Sequence, residues 1–177
     1  MLEELKKRSL QLYEISLISL RTGARANEIF SLKWGDVDLE RGTLILWDTK
    51  NTKTRVAYIT EDVKRLLKEK LGGKNGELVF PGRNGVKIVE ISNAFNQAVV
   101  AIGFNEDITD RRMKVVFHTL RHTYASWLVQ KGEDLYTVKE LMGHSTITMT
   151  ERYSHLGNNT LQNAVKRLEE YSLSEKD

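Results

Sequence analysis

The sequence predicts a mainly α-helical domain with one small antiparallel β-sheet, an α+β fold. Apolar residues recur at helical spacing along most of the 177 residues, which predicts several helices. Only two short runs, Thr43–Trp47 and Val56–Ile59, have the β-branched and aromatic character of strands. A chain of this length fits one domain with a substantial core.

The amino-terminal half predicts three helices and one hairpin. Residues 5–20 are broadly apolar and predict a buried helix, which Gly23 ends. Residues 26–32 predict a further short helix. The two strands are joined by a polar stretch, residues 48–55, and this order predicts a hairpin with a long loop. Apolar residues at helical spacing across residues 63–71 predict the third helix.

The carboxy-terminal half is more regular. Residues 91–102 predict a helix that Gly103 closes, and apolar positions across residues 120–128 share one face of another helix. An apolar stripe across residues 161–171 predicts an amphipathic helix near the carboxy terminus.

Two further helices are predicted from their end signals. Asp134 is a candidate N-cap, and Gly143 stands at the position where a glycine commonly ends a helix. Ser145 is a candidate N-cap for a helix over residues 146–153.

Composition excludes several classes of protein. The chain has no cysteine, which excludes a disulfide scaffold, a cysteine zinc site and thiol catalysis. No apolar run reaches about 18–20 residues, and the mixed-charge amino terminus lacks the features of a signal peptide, so we expect a cytoplasmic protein. The net charge of +3 is too small to indicate nucleic-acid binding by itself. Positive charge is concentrated in two segments, residues 41–59 and 111–132.

The first candidate site lies at Arg25 and Glu28. These residues are three apart, so on a helix they share a face. One interpretation is a surface ion pair. The other is an arginine that binds an anion and is oriented by Glu28.

The second candidate site is the polar stretch between the predicted strands. Its cations, Lys50, Lys53 and Arg55, stand among small polar residues. A stretch of this kind is usually a solvated turn. The same residues would also suit contact with a phosphate backbone.

The third candidate site is the run His118–His122, which also contains Arg121. His118 and His122 have the spacing of a helical zinc pair, but Thr119 stands where a metalloprotease helix carries glutamate. The sequence therefore disfavours a metal site, and we expect His122 to be a core histidine.

The remaining candidates are His144, beside the predicted helix start at Ser145, and Tyr153. An isolated tyrosine usually packs, because its phenol has a pKa of about 10 and is a poor nucleophile without a base and cationic surroundings. Together, however, the candidates supply donors for the oxygens of a phosphodiester and an oxygen nucleophile. The sequence has no carboxylate cluster to bind catalytic magnesium, so the positive charge would come from side chains.

These segments together resemble the catalytic domain of the tyrosine recombinase (phage integrase) family. Order, spacing and residue types agree with the family from about Leu20 to Leu156. The matching segments are Thr22–Arg25 with Glu28, Leu32–Asp38, His118–Ser126, Leu141–Ser145 and Thr150–His155.

The resemblance implies a reaction and a role for each residue. Tyr153 would attack a phosphodiester of double-stranded DNA and form a 3′-phosphotyrosyl bond, with release of a 5′-hydroxyl. Arg25, Arg121 and His144 would bind the scissile phosphate. His118 would assist proton transfer, and Lys50 would protonate the leaving oxygen. Glu28 matches the family's acidic supporting position. The resemblance implies no cofactor: neither metal nor ATP is needed.

The resemblance also sets expectations about organisation. Only 24 residues precede Arg25, so we expect one catalytic domain over residues 1–177 and no amino-terminal DNA-clamp domain. Within it, residues 1–158 would form the catalytic core and 159–177 a helix and tail able to dock on other recombinase protomers. Tyr58 stands where the family usually has proline, so Lys53 remains an alternative to Lys50. A bacterial, phage or mobile-element context follows from the family.

Two alternatives stay open at this point. One is a remnant that binds DNA or a recombinase partner without cutting. The other is a type IB topoisomerase-like enzyme that uses the same tyrosine chemistry to relax DNA.

Overall fold

The computed structural model describes residues 1–47, 54–70, 72–157, 165–166 and 168. The chain divides into two compact units, Met1–Tyr124 and Ala125–Asp177, and the boundary falls inside a helix. The mainly helical composition with one small antiparallel sheet confirms the predicted fold class.

The first unit contains most of the helices. Their bounds are α1 Leu2–Arg8, α2 Leu10–Thr22, α3 Ala26–Phe30, α4 Glu61–Glu69, α5 Ala94–Ala101 and the first part of α6, Phe117–Gln130.

The helix predicted over residues 5–20 is two helices. Ser9 has extended backbone angles, φ −160° and ψ 115°, and so ends α1. Its Oγ accepts a hydrogen bond from the backbone N–H of Leu12 at 3.2 Å, which makes Ser9 the N-cap of α2. The apolar periodicity continues across the break, which is why the pattern alone predicts a single helix. Gly23 ends α2 as expected, with a left-handed φ of 64°.

The sheet has three antiparallel strands in the order β1 (Val37–Asp38), β2 (Thr43–Trp47) and β3 (Thr54–Tyr58). β1 has only two residues, too few for a periodic signal. β3 begins two residues before the predicted strand, because Thr54 pairs with Trp47 and Arg55 pairs with Leu46. Arg55 is therefore a strand residue and not part of the connecting loop.

The sheet and helices of the first unit enclose one core. β2 alternates, with Leu44 and Leu46 buried and Ile45 and Trp47 exposed. The buried face joins apolar side chains of α2 to α5 and of the segment around Phe80. This core fixes the positions of the α2–α3 junction and of β3.

The second unit contains the rest of α6, α7 (Leu135–Met142) and α8 (Thr148–Glu151). Asp134 caps α7 as predicted, since its Oδ1 accepts hydrogen bonds from the N–H groups of Tyr136 and Thr137. Gly143, with φ 62°, ends the helix. The prediction that Ser145 caps the next helix is wrong: α8 begins at Thr148, and the Ser145 hydroxyl donates to Met149 Sδ at 3.6 Å.

The predicted carboxy-terminal amphipathic helix lies almost entirely outside the described residues. Val165 and Leu168 are exposed. Among the described parts of the chain, no helix is long and apolar enough to cross a membrane.

Candidate active site

The α2–α3 junction positions Arg25 and Glu28. Gly23 turns the chain, and Arg25 is the N-cap of α3. Glu28 Oε2 accepts a hydrogen bond from the backbone N–H of Arg25 at 2.7 Å, and Glu28 Oε1 accepts one from Arg25 Nη1 at 3.0 Å. The Glu28 side chain is only 3% exposed. The pair is therefore not the surface ion pair of the simpler interpretation, because its carboxylate is buried and fixed at both oxygens.

Arg55 reaches the same carboxylate from β3. Its Nη2 lies 3.1 Å from Glu28 Oε2 and 3.4 Å from the carbonyl oxygen of Gly23. The sequence placed Arg55 in a loop, as one of three cations that could contact phosphate. The signal that could have found its position is strand alternation, since Ala57 is buried and a residue two positions earlier lies on the same face.

Arg121 reaches the junction from α6. It is 1% exposed, and its Nη1 donates a hydrogen bond to the carbonyl oxygen of Gly23. Arg55 donates to the same oxygen. We call Arg25, Arg55, Arg121 and Glu28 the arginine cluster. It combines three guanidinium groups with one carboxylate, so it has an excess of positive charge where planar bidentate donors can bind the oxygens of a phosphate.

Tyr124 is a second tyrosine to consider besides Tyr153. Burial raises the pKa of its phenol above the usual value, and the nearby charges of Arg55 and Arg121 offset this only in part. Its phenol is therefore harder to ionise than that of an ordinary tyrosine.

His118 and His122 lie on successive turns of α6. Their rings contact each other edge to face, with centroids 4.8 Å apart and an interplanar angle of 88°. His118 is exposed, and His122 is partly buried and not the fully buried core histidine expected. Within the described residues, no group of three or more His, Cys, Asp or Glu side chains could hold a metal ion.

The second unit places His144 and Tyr153 around Thr150. His144 Nδ1 and Thr150 Oγ1 share a hydrogen bond of 2.9 Å. The Tyr153 backbone N–H donates to the Thr150 carbonyl at 2.9 Å, and the Tyr153 side chain is 5% exposed. We call His144, Thr150 and Tyr153 the histidine–tyrosine corner. Thr150 is fully buried, and no feature of the sequence distinguishes it from the rest of the motif around it.

The structure thus brings the proposed site residues together in two groups. The first unit holds Arg25, Glu28 and Arg121 in one cluster and adds Arg55. The second unit joins His144 to the backbone that bears Tyr153. Lys50 and Lys53 lie outside the described residues.

Comparison with known proteins identifies the family. The phage integrase family model matches residues 1–160. The chain is 31% identical over 145 residues to the tyrosine recombinase XerA of Saccharolobus solfataricus, covering 81% of this chain and 45% of that protein. The chain therefore belongs to the phage integrase family of tyrosine recombinases.

Solved structures agree with this assignment. The catalytic domain of bacteriophage HP1 integrase is 30% identical, with a TM-score of 0.69, and the match covers 93% of this chain and 87% of that one. XerH, a site-specific recombinase solved with a palindromic difH substrate in a post-cleavage complex, is 26% identical with a TM-score of 0.70, over 95% of this chain and 50% of XerH. The chain spans less than half the length of the curated relatives it matches.

Proposed function

We propose that this chain is the catalytic domain of a site-specific DNA recombinase or integrase, which cleaves and rejoins DNA strands through a 3′-phosphotyrosyl intermediate. The observation that carries the proposal is the arginine cluster in a member of the phage integrase family. Three guanidinium groups converge on one buried carboxylate and one carbonyl, with positive charge in excess. Guanidinium groups bind the oxygens of a scissile phosphate through paired, charge-assisted hydrogen bonds.

The reaction assigns a step to each group. The Tyr153 oxygen attacks the phosphorus of double-stranded DNA, and its proton passes to a base assisted by His118. The 5′-oxygen leaves with a proton from Lys50, for which Lys53 is the alternative. Arg25, Arg121 and His144 donate to the non-bridging oxygens, where negative charge grows. Each such donor stabilises the transition state by about 2.7–4 kcal/mol, by analogy with an oxyanion-hole donor.

The proposed reaction needs neither metal nor ATP. Guanidinium and imidazole groups supply the positive charge that a metal ion would otherwise supply. The phosphotyrosyl bond keeps the energy of the cleaved phosphodiester, so that attack by another 5′-hydroxyl restores a DNA strand.

A nicked suicide duplex tests this function. After cleavage the short 5′-hydroxyl strand diffuses away, so the protein stays joined to DNA. We expect a covalent adduct on a denaturing gel in the presence of excess EDTA. DNA binding without an adduct would instead identify a binding-only remnant. An adduct that needs added zinc or magnesium would contradict the metal-independent reaction, and relaxation of plasmids without strand exchange would identify a topoisomerase-like activity.

We further propose that other recombinase protomers are partners when the protein assembles on DNA, through residues 159–177. The apolar stripe of that segment supports this, since Val165 and Leu168 are exposed. Deletion of the residues after Asn158 should then lower strand exchange more than single-strand cleavage. An equal loss of both activities would show that the segment serves ordinary folding stability.

A further inference from the structure

Arg55 lies between the two groups that hold Arg25 and Arg121 in place, and we call these groups their supports. Glu28 holds Arg25 through its two carboxylate oxygens, and the Gly23 carbonyl accepts from Arg121. A single nitrogen of Arg55, Nη2, lies within hydrogen-bond distance of both Glu28 Oε2 and the Gly23 oxygen. The Arg55 side chain thus contacts both supports.

The strand holds Arg55 more firmly than a loop would. Its backbone pairs with Leu46 in the β2–β3 ladder, and Leu46 is 1% exposed in the core of the first unit. The Arg55 side chain itself is only 12% exposed. Strand pairing fixes the Arg55 backbone, and burial restricts its guanidinium group. We therefore expect that loss of this guanidinium would let Glu28 and the Gly23 carbonyl shift, and these groups orient Arg25 and Arg121.

Charge gives a second argument. The four side chains of the cluster carry three positive charges and one negative charge, a formal sum of +2. Addition of a tyrosine oxygen to a phosphodiester monoanion gives a dianionic phosphorane once the phenol proton has passed to a base. The excess charge of the cluster therefore matches the transition state better than the ground state, and this difference is what accelerates a reaction.

We propose that Arg55 is a positioning residue of the recombinase site, which acts through Glu28 and the Gly23 carbonyl to aim Arg25 and Arg121 at one phosphate. The inference rests on the proposed function. It differs from an ordinary buried ion pair in its consequence: loss of Arg55 slows the chemical step in molecules that are fully folded.

Single-turnover cleavage of the suicide duplex tests this. The amplitude of adduct formation reports the fraction of competent protein, and the rate constant reports the chemical step. We expect Arg55→Met to lower the rate constant at saturating protein about 10–100-fold, the range found when supporting hydrogen bonds at metal sites are removed. The amplitude and the dissociation constant for DNA should stay within about twofold. Arg55→Lys should recover only part of the rate, because an ammonium group lacks the planar fork of arginine.

Arg41→Met is the matched control. Arg41 is a cation of the turn before β2, its side chain is 85% exposed, and it pairs with Asp38 at 3.7 Å. The same substitution there should change neither rate nor amplitude.

A double-mutant cycle with Glu28→Gln tests the route of the effect. If Arg55 acts largely through Glu28, the double variant should be less than about threefold slower than Glu28→Gln alone. The inference would be overturned if Arg55→Met kept the wild-type rate constant, or if it lost only amplitude. It would also be overturned if the effects of the two substitutions were fully additive in the cycle. If Arg55→Met does not fold, Arg55→Lys is judged by the same rate and amplitude. A wild-type protein that forms no adduct would instead refute the proposed function.

Discussion

The two units hold their candidate site residues in different ways. In the first unit, the arginine cluster is built from charged groups on α2–α3, β3 and α6, and Glu28 and Arg121 are almost fully buried. In the second unit, the histidine–tyrosine corner spans ten residues of chain, and hydrogen bonds of Thr150 join its members. One region depends on contacts between residues far apart in sequence, and the other on local turns.

This structural difference suggests different roles for the two regions in the proposed reaction. Guanidinium groups that are held in place before any substrate arrives can bind an anion with little rearrangement. The second unit contributes one proposed phosphate donor, His144, together with the proposed nucleophile, Tyr153. We therefore expect changes in the first unit to have the larger effect on the response to anions, and changes in the second to act mainly on the covalent step.

The largest effect should come from the nucleophile. Tyr153→Phe keeps the buried ring and removes the attacking oxygen, so adduct formation should be abolished while the melting temperature changes little. Tyr124→Phe is the matched control, because Tyr124 is a second tyrosine and lies near two members of the arginine cluster, Arg55 and Arg121. If Tyr153→Phe still forms the adduct and Tyr124→Phe does not, the nucleophile lies in the first unit. The proposed difference in role between the two units would then be wrong.

The general acid should give the next largest effect. A 5′-alkoxide is a strong base and needs a proton to leave, whereas a 5′-thiolate leaves unaided, since thiols have a pKa of about 8.5. Lys50→Ala should cleave ordinary DNA about 10²–10⁴-fold more slowly and 5′-thio DNA at nearly the wild-type rate. Lys53→Ala should lose little activity on either substrate. Rescue by sulfur of Lys53→Ala instead would move the acid to Lys53.

Arg121→Met should lower the rate of adduct formation about 10²–10³-fold, as loss of an oxyanion-hole donor does. It should also weaken the anion site. Sulfate should raise the melting temperature of the wild type more than that of the variant, because a ligand stabilises only the state that binds it. Sodium chloride of equal ionic strength is the control. Equal sulfate responses would show that the cluster does not select anions.

Thr150→Val should have the smallest effect. Valine keeps the shape of threonine but removes the hydroxyl that shares a hydrogen bond with His144 Nδ1. With His144 less well oriented, we expect cleavage to slow about 10-fold, near the lower end of the range for supporting hydrogen bonds at metal sites. The sulfate response should change less than in Arg121→Met, because only one of the three proposed phosphate donors is affected. A variant with altered sulfate response and unchanged cleavage would contradict the separation of the two regions.

Elements with local signals could be predicted from the order of the amino acids. Apolar spacing predicted most helices, and Asp134 and Gly143 bounded α7 because an N-cap and a left-handed glycine act within one turn. The motifs also identified the family, and the family model matches residues 1–160. Local signals failed where a competing contact was stronger: Ser9 divides the first predicted helix by capping α2, and Ser145 caps no helix.

The way in which the candidate residues combine depends on contacts that form on folding. Glu28 is buried because the α2–α3 junction lies against the core, and no spacing of residues 25 and 28 distinguishes that from a surface pair. Arg55 enters the cluster because β3 pairs with β2 from Thr54 onward, which turns the arginine toward Glu28. Hydrogen bonds between residues 27 to 98 positions apart in sequence bring Arg55 and Arg121 into the cluster. Local residue spacing does not predict contacts of this kind, because it reports only on neighbours within a few turns of chain.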